Sequence, residues 1–302
     1  MKRYPAAIMG TCLVPWTESY DFDEKAFREQ VRRLGQNLSP YLYVFGTAGE
    51  GYAVTDSQFE AITRSFLDEA GACGVEATIG IISLSLPIIV ERIEKARSWG
   101  ASRFQLSLPS WAALSDEEVE VFFRETCGRF RDCQFMHYNL MRTKRLVTPA
   151  EYGRLAAEHA NFVATKNTKD DENFLSELMT LAPQLQHFLG ESGFTRMRDR
   201  FECGLLISLS STNHERAKKF FAARGEELTG LNAELRHALA ALKEAFGPEP
   251  LIDGAYDKLI YKLGVPAFPL RLLPPYSTAD ESSAPARYRE AMARLAPAWL
   301  PE

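Results

Sequence analysis

Short apolar runs alternate with segments of helical periodicity along most of the chain. Apolar side chains dominate each run, as expected for strands that are buried on both faces of a parallel sheet. Eight runs predict strands over residues 7–14, 41–45, 77–82, 104–108, 134–138, 162–165, 186–189 and 205–209.

The segments between these runs carry signals that begin an α-helix. Thr55 with Gln58 has the spacing of a capping box, and so does the segment that begins at Ser115. Thr148 precedes Pro149, which suits the first position of a helix because no N–H group is needed there. Each predicted strand is therefore followed by a predicted helix.

Eight strands that alternate with helices over roughly 225 residues match the size of a (β/α)8 TIM barrel. A doubly wound open sheet seldom needs as many strands, and no Rossmann or P-loop motif opens a helix. The later pattern is helical over 231–246, where Gly247-Pro248 predicts a stop, and over 253–263 and 284–295. We predict an α/β barrel over residues 1–226 and a C-terminal helical domain over residues 227–302.

Charge and composition narrow the classes of function. The chain has 302 residues, with 35 Lys+Arg against 40 Asp+Glu, so no basic stripe is available for a nucleic acid. The apolar, uncharged stretch between Glu76 and Glu91 is too short to cross a membrane. The five cysteines are scattered and odd in number, which predicts neither disulfides nor a zinc site. We expect a cytoplasmic enzyme.

Catalytic groups of a barrel enzyme lie at the carboxyl ends of its strands, and a lysine occupies one of these ends. Lys166 follows the strand predicted over 162–165, so its ammonium is expected to point into the barrel mouth. A desolvated lysine is a natural Schiff-base nucleophile, whereas a strand-end lysine otherwise reaches back to water. Tyr138 ends the preceding strand, where a phenol can shuttle protons or simply pack as a core aromatic ring.

The loop after the second predicted strand is rich in glycine. It reads Gly46-Thr47-Ala48-Gly49-Glu50-Gly51. Glycine lets backbone N–H groups approach an anion such as a carboxylate, although many glycine-rich loops at strand ends are only turns. The loop by itself is a weak signal.

Three segments together resemble the dihydrodipicolinate synthase / N-acetylneuraminate lyase family of class I aldolases. They are Gly46-Thr47-Ala48-Gly49-Glu50 for the family's G-[ST]-T-G-E loop, Tyr138-Asn139 after strand five, and Lys166 in Ala164-Thr165-Lys166-Asn167-Thr168. Their order and spacing agree with the family, and the resemblance covers essentially the whole chain.

The resemblance implies a lyase that works through a lysine Schiff base. Lys166 would condense with the carbonyl of pyruvate or another 2-oxo acid, and Tyr138 would be the general acid and base. Thr47 would hold the substrate carboxylate and carry protons, together with the backbone around Ala48 and Gly49. Neither a metal nor an organic cofactor is needed, and a homo-oligomer, either a dimer or a tetramer, is expected.

Three positions depart from the family's pattern. Ala48 lacks the second hydroxyl of the loop motif. Trp111 stands where the synthases place a tyrosine that enters a neighbouring subunit's site, and an indole cannot accept and pass on a proton. Arg142 lies one residue closer to Tyr138 than in the synthases, so a substrate clamp and a surface arginine are equally open interpretations.

Other residues are candidates for substrate specificity. Gly190 and Ser192 follow the seventh strand, where the family makes substrate-specific contacts. Ser208 opens a hydroxyl-rich run, 208–213, that either binds a polyhydroxylated chain or caps the next helix.

The departures from the synthase pattern favour a 2-oxo-3-deoxy sugar acid, or a related hydroxy-oxo acid, as the substrate. One alternative is a true 4-hydroxy-tetrahydrodipicolinate synthase that uses pyruvate and aspartate semialdehyde. Another is a non-catalytic barrel that binds a 2-oxo acid.

Overall fold

Strands and helices alternate along the chain, as the sequence predicts. The computed structural model describes residues 3–246 and 250–301. The strands are β1 (Gly10–Thr11), β2 (Tyr41–Val44), β3 (Glu76–Ile81), β4 (Arg103–Leu106), β5 (Gln134–Asn139), β6 (Phe162–Asn167), β7 (Gln186–Leu189) and β8 (Gly204–Leu205). The helices are α1 (Glu24–Asn37), α2 (Asp56–Cys73), α3 (Leu86–Ser98), α4 (Asp116–Phe123), α5 (Pro149–Glu158), α6 (Glu172–Leu181), α7 (Glu191–Met197), α8 (His214–Ala222), α9 (Gly225–Phe246), α10 (Asp253–Gly264) and α11 (Ala284–Leu295).

The strands are parallel and follow one another in chain order from β1 to β8. A helix follows each strand, which is the alternation of a (β/α)8 barrel. After α8, the described part of the chain contains helices and short turns and no further strand. The predicted fold class, an α/β barrel with C-terminal helices, is confirmed.

The chain forms two compact units. The Lys166 unit consists of Met1–Met9 and Ala77–Leu206, and the Thr47 unit consists of Gly10–Glu76 and Ile207–Glu302. Each unit is therefore built from two separate stretches of chain. The boundary between the barrel and the helical domain at residue 226 stays a prediction.

Register within the Lys166 unit determines which side chains share a face. On β5 and β6, Tyr138 pairs with Lys166 and Asn139 pairs with Asn167. Because side chains alternate between the faces of a strand, Tyr138 and Lys166 lie on one face. Asn139, Thr165 and Asn167 lie on the other.

The predicted helix starts are present with their hydrogen bonds. Thr55 and Thr148 each form a complete capping box, and Ser115 forms another. Asp171 accepts a hydrogen bond from a backbone N–H in the first turn of α6, and Asn213 does the same for α8. These contacts satisfy N–H groups that have no partner inside the helix.

The limits of several elements differ from the prediction. β6 continues to Asn167, so Lys166 lies within the strand instead of after it. β1 and β8 are shorter than their apolar runs, because a run reports burial and not the length of the hydrogen-bonded ladder. After β8 the chain turns into a 3-10 helix, Ser208–Ser211. The helix stop predicted at Gly247-Pro248 lies outside the described residues.

The five cysteines are free thiols, as predicted, and all except Cys73 are buried. Within the described ranges, no helix combines the length and the apolar character that crossing a membrane requires. The basic residues near Arg216 lie on α8, where several of them form ion pairs with glutamates.

Candidate active site

The structure brings Lys166 and Tyr138 together. Both side chains are buried, with Lys166 7% and Tyr138 3% exposed. The Lys166 Nζ atom lies 3.9 Å from the centroid of the Tyr138 ring. The negative face of the ring attracts an ammonium at that distance. The predicted nucleophile and the predicted proton carrier are therefore direct neighbours.

Strand β6 is unusual because its second half is polar although all six of its residues are buried. Thr165, Lys166 and Asn167 follow the apolar segment Phe162-Val163-Ala164. Burying polar groups is unfavourable unless hydrogen bonds compensate them, so a polar segment inside a buried strand marks a site. This signal identifies Thr165 and Asn167, which the sequence analysis had quoted only as neighbours of Lys166.

The loop Gly46–Gly51, in the Thr47 unit, folds into consecutive turns. The N–H of Glu50 donates to the carbonyl of Thr47 at 3.2 Å. A Cβ atom at Gly49 would lie 2.8 Å from the backbone nitrogen of Phe45, and one at Gly51 would lie 2.4 Å from its carbonyl oxygen. The two glycines are therefore required by close backbone contacts.

The same loop has features that suit an anion. Thr47 and Ala48 are buried. Among the described residues, the backbone–backbone hydrogen bonds of the loop do not use the N–H of Ala48. A backbone N–H in a buried loop normally has a hydrogen-bond partner, so an anion such as a carboxylate would suit this position.

Glu50, the last residue of the family motif, belongs to a buried ion pair that the sequence analysis missed. Its Oε1 atom accepts hydrogen bonds from Lys258 Nζ at 2.6 Å and Trp16 Nε1 at 2.9 Å. Its Oε2 atom accepts one from the N–H of Leu273 at 2.7 Å. Glu50 and Lys258 are both 0% exposed. The carboxylate therefore joins three segments of the Thr47 unit to the loop.

Helix α10 supplies Lys258 and also contacts the loop through its backbone. Burial lowers the pKa of Lys258, and the neighbouring Glu50 opposes that shift. A Cβ atom at Gly254 would lie 3.2 Å from the carbonyl oxygen of Ala48, so α10 packs closely against the loop. No local sequence signal links Glu50 to Lys258, because the two residues are 208 positions apart.

Trp111 and Arg142 lie on the surface of the Lys166 unit. Trp111 is 81% exposed, and its carbonyl oxygen accepts a hydrogen bond from Lys144 Nζ at 2.7 Å. Arg142 is exposed on a short 3-10 helix, Met141–Thr143. The role of each in substrate binding stays a prediction.

The remaining specificity candidates lie at helix starts. Gly190 is the N-cap residue of α7, and Ser192 is exposed in its first turn. Ser208 is exposed at the start of the 3-10 helix after β8. Beyond it, three hydroxyls donate to backbone carbonyls, and they belong to Ser210, Ser211 and Thr212. These contacts favour a structural role over substrate binding for most of the hydroxyl-rich run 208–213.

Comparison with known proteins places the chain in a family. The sequence pattern of the dihydrodipicolinate synthetase family matches residues 4–290. The chain belongs to this family. Its members are lyases, including aldolases and dehydratases, that act through a lysine Schiff base.

Two curated relatives are similar over part of their length. A 4-hydroxy-tetrahydrodipicolinate synthase from Exiguobacterium sibiricum is 28% identical over 177 residues, which are 58% of this chain and 59% of the relative. A probable 5-dehydro-4-deoxyglucarate dehydratase from Rhodococcus opacus is 28% identical over 114 residues, which are 37% of this chain and 36% of the relative. The matches thus span about three fifths or less of these relatives.

A solved structure supports the fold over nearly the whole chain. YagE, a prophage protein of the dihydrodipicolinic acid synthase family from E. coli K12, was solved in complex with pyruvate. It superposes with a TM-score of 0.82 at 18% identity and covers 96% of this chain and 98% of its own. At that identity the likeness establishes the fold alone.

Proposed function

We propose that this chain is a lyase that forms a Schiff base between Lys166 and a 2-oxo acid. The observation that carries the proposal is the buried amine 3.9 Å from the centroid of the Tyr138 ring. A lysine near the carboxyl end of a buried barrel strand suits a nucleophile that forms a Schiff base with a carbonyl substrate. Membership of the family supports the same chemistry.

In the proposed reaction, the amine nitrogen of Lys166 attacks the carbonyl carbon of the 2-oxo acid, and a proton moves from that nitrogen to the carbonyl oxygen to form a carbinolamine. Tyr138 protonates the departing hydroxyl, and water leaves as the C=N bond of the protonated imine forms. The protonated imine then accepts an electron pair from C3, counted from the substrate carboxylate. In cleavage, the C3–C4 bond breaks as the C4 hydroxyl loses its proton and becomes an aldehyde; in dehydration, C3 loses a proton and the resulting enamine expels the C4 hydroxyl, which leaves as water. For the loop Gly46–Gly51 we propose the carboxylate-binding role, with Thr47 and the Ala48 N–H as donors.

A 2-oxo-3-deoxy sugar acid is the substrate class that we favour. The substrate in the name of the Rhodococcus opacus relative, 5-dehydro-4-deoxyglucarate, is a 2-oxo-3-deoxy acid when its carbons are counted from the nearer carboxyl group. Trp111 also lacks the proton-accepting hydroxyl that the synthases use at this position. These observations support cleavage or dehydration of a hydroxylated oxo acid.

The proposal is tested by trapping the imine with borohydride. The folded protein is incubated with pyruvate, 2-oxobutyrate, a 2-oxo-3-deoxy aldonate and a 2-oxo-3-deoxy aldarate, with lactate as the control that has no carbonyl group. Peptide mass spectrometry is expected to locate a reduced adduct on Lys166 for 2-oxo acids and none for lactate. Absence of an adduct with every oxo acid would contradict the proposed chemistry.

Turnover assays distinguish the substrate classes. The similarity to a 4-hydroxy-tetrahydrodipicolinate synthase favours a second candidate, condensation of pyruvate with aspartate semialdehyde. We expect faster turnover with a sugar acid than with that pair, and the reverse result would establish the synthase. An adduct on Lys166 without turnover of any substrate would instead indicate a binding protein.

Tyr138→Phe is expected to slow turnover about 100-fold, because general acid–base catalysis contributes about 10²- to 10⁴-fold. The adduct on Lys166 should still form in this variant, since the nucleophile remains. Stopped-flow trapping and steady-state assays measure the two effects. Tyr4→Phe is the matched control, because Tyr4 is a buried tyrosine of the same unit whose hydroxyl lies 2.9 Å from Thr78 Oγ1. Equal turnover rates in Tyr138→Phe and Tyr4→Phe would show that Tyr138 does not carry out the proposed proton transfer.

A further inference from the structure

A continuous set of buried hydrogen bonds runs along the face of β5, β6 and β7 that is opposite Lys166 and Tyr138. Its four side chains are Asn139, Thr165, Asn167 and His187, and each is at most 2% exposed. Thr165 and Asn167 are the chain neighbours of Lys166, and Asn139 follows Tyr138 directly. The set therefore contacts β5 and β6 on the face opposite the side chains of Lys166 and Tyr138.

The contacts are short and consecutive. Thr165 Oγ1 lies 2.7 Å from His187 Nδ1 and also 2.7 Å from Asn167 Nδ2. Asn139 Nδ2 lies 3.2 Å from Asn167 Oδ1. Asn139 also exchanges two hydrogen bonds with the backbone of Val147, both at 3.0 Å.

Only one arrangement of hydrogens satisfies every contact. His187 Nε2 lies 3.0 Å from the carbonyl oxygen of Ala182, which can only accept, so Nε2 carries the hydrogen. Burial lowers the pKa of His187 to about 4, so the ring is neutral near pH 7 and Nδ1 is an acceptor. The Thr165 hydroxyl must then donate to Nδ1.

The direction continues through the amides. Because its hydrogen is used, Thr165 Oγ1 accepts from the Asn167 amide. Asn167 Oδ1 accepts from the amide of Asn139, and Asn139 Oδ1 accepts from the N–H of Val147. From Val147 to Ala182 the donors of these consecutive hydrogen bonds thus point in one direction, and Asn139 Nδ2 donates a further hydrogen bond back to the carbonyl of Val147. Such a network has little freedom, because each buried group has one permitted orientation.

We infer that Thr165, Asn167, Asn139 and His187 are positioning residues that fix β5 and β6 so that Lys166 and Tyr138 meet. The inference rests on the proposed function, because it assigns these residues to the reaction of that pair. They act through the backbone of the two strands and do not reach the substrate. Displacement of a reacting group by about 1 Å can cost about 100-fold in rate, so this support has a measurable effect.

Thr165→Val tests the inference, because valine has the shape of threonine and lacks the hydroxyl. We expect the rate of trapping with pyruvate and kcat to fall by about tenfold or more, with KM changed less. Thr165→Ser, which restores the hydroxyl, should return most of the rate. Trapping by the unaltered protein is measured first, so that failure of the proposed function is recognised separately.

Thr126→Val is the matched control. Thr126 is a fully buried residue of the same unit whose hydroxyl donates to the carbonyl of Phe122 in α4 at 2.7 Å. It should lose a similar free energy of unfolding and keep the rate of trapping. Equal trapping rates in Thr165→Val and Thr126→Val would overturn the inference.

Variants of His187 provide a second test if Thr165→Val does not fold. Asparagine at this position can place an amide oxygen near the Nδ1 position and accept from Thr165. Glutamine instead places its amide near the Nε2 position and leaves Thr165 without an acceptor. We expect His187→Asn to trap pyruvate faster than His187→Gln, and the opposite order would contradict the inference.

Discussion

Lys166→Ala is expected to abolish the borohydride-trapped adduct and to lower kcat by about 10³-fold or more. Removal of a catalytic nucleophile generally has an effect of at least this size, because the remaining contacts bind substrate without covalent activation. The structure also gives a reason why Lys166 rather than another lysine should carry the adduct, since its buried amine lies against the Tyr138 ring. Mass spectrometry of trapped protein and steady-state kinetics measure the two losses.

Lys169→Ala is the control for this experiment. Lys169 is three residues further along, exposed, and its Nζ atom lies 4.7 Å from the centroid of the Phe174 ring. It should form the adduct on Lys166 at the normal rate. If Lys166→Ala still forms an adduct on another lysine and still turns over substrate, that other lysine is the nucleophile and the proposal for Lys166 is wrong.

Lys258→Met should lower the free energy of unfolding by about 3–5 kcal/mol, because it leaves the Glu50 carboxylate buried without its cation. Both partners are 0% exposed, so water cannot replace the lost ion pair without a rearrangement. Two other donors to Glu50, Trp16 and Leu273, are neutral. Urea titration followed by circular dichroism measures the loss.

The double variant Glu50→Gln/Lys258→Met separates the charge from the packing. Removing both charges should recover part of the stability that Lys258→Met loses, since no unpaired carboxylate remains. Lys218→Met is the control, because its ion pair with Glu215 is exposed on α8 and is expected to contribute about 1 kcal/mol or less. A similar loss in Lys258→Met and Lys218→Met would show that the buried pair does not stabilise the protein.

Local signals in the sequence were sufficient to predict the fold class and to select Lys166 and Tyr138 as neighbouring candidate residues. The capping boxes at Thr55 and Thr148 depend on residues three positions apart, and the structure contains both. The juxtaposition of Lys166 and Tyr138 followed from a general property of parallel strands, whose carboxyl ends lie at the same edge. These predictions needed only periodicity, spacing and the family motif.

Element lengths were less predictable. The apolar run of β6 ends before Lys166, but the hydrogen-bonded strand continues through Asn167. Polar residues continue a strand when the fold supplies buried hydrogen-bond partners, and those partners lie on β5 and β7. A single run of sequence does not contain that information.

The sequence by itself determined the order of strands and helices, the family motif and the choice of Lys166 and Tyr138 as the candidate reactive pair. Tertiary structure alone decided how these residues are supported. It paired Glu50 with Lys258 and directed His187 toward Thr165. The physical reason is that burial and hydrogen-bond direction depend on groups brought together from distant positions, whereas caps and periodicity depend on neighbours in the chain.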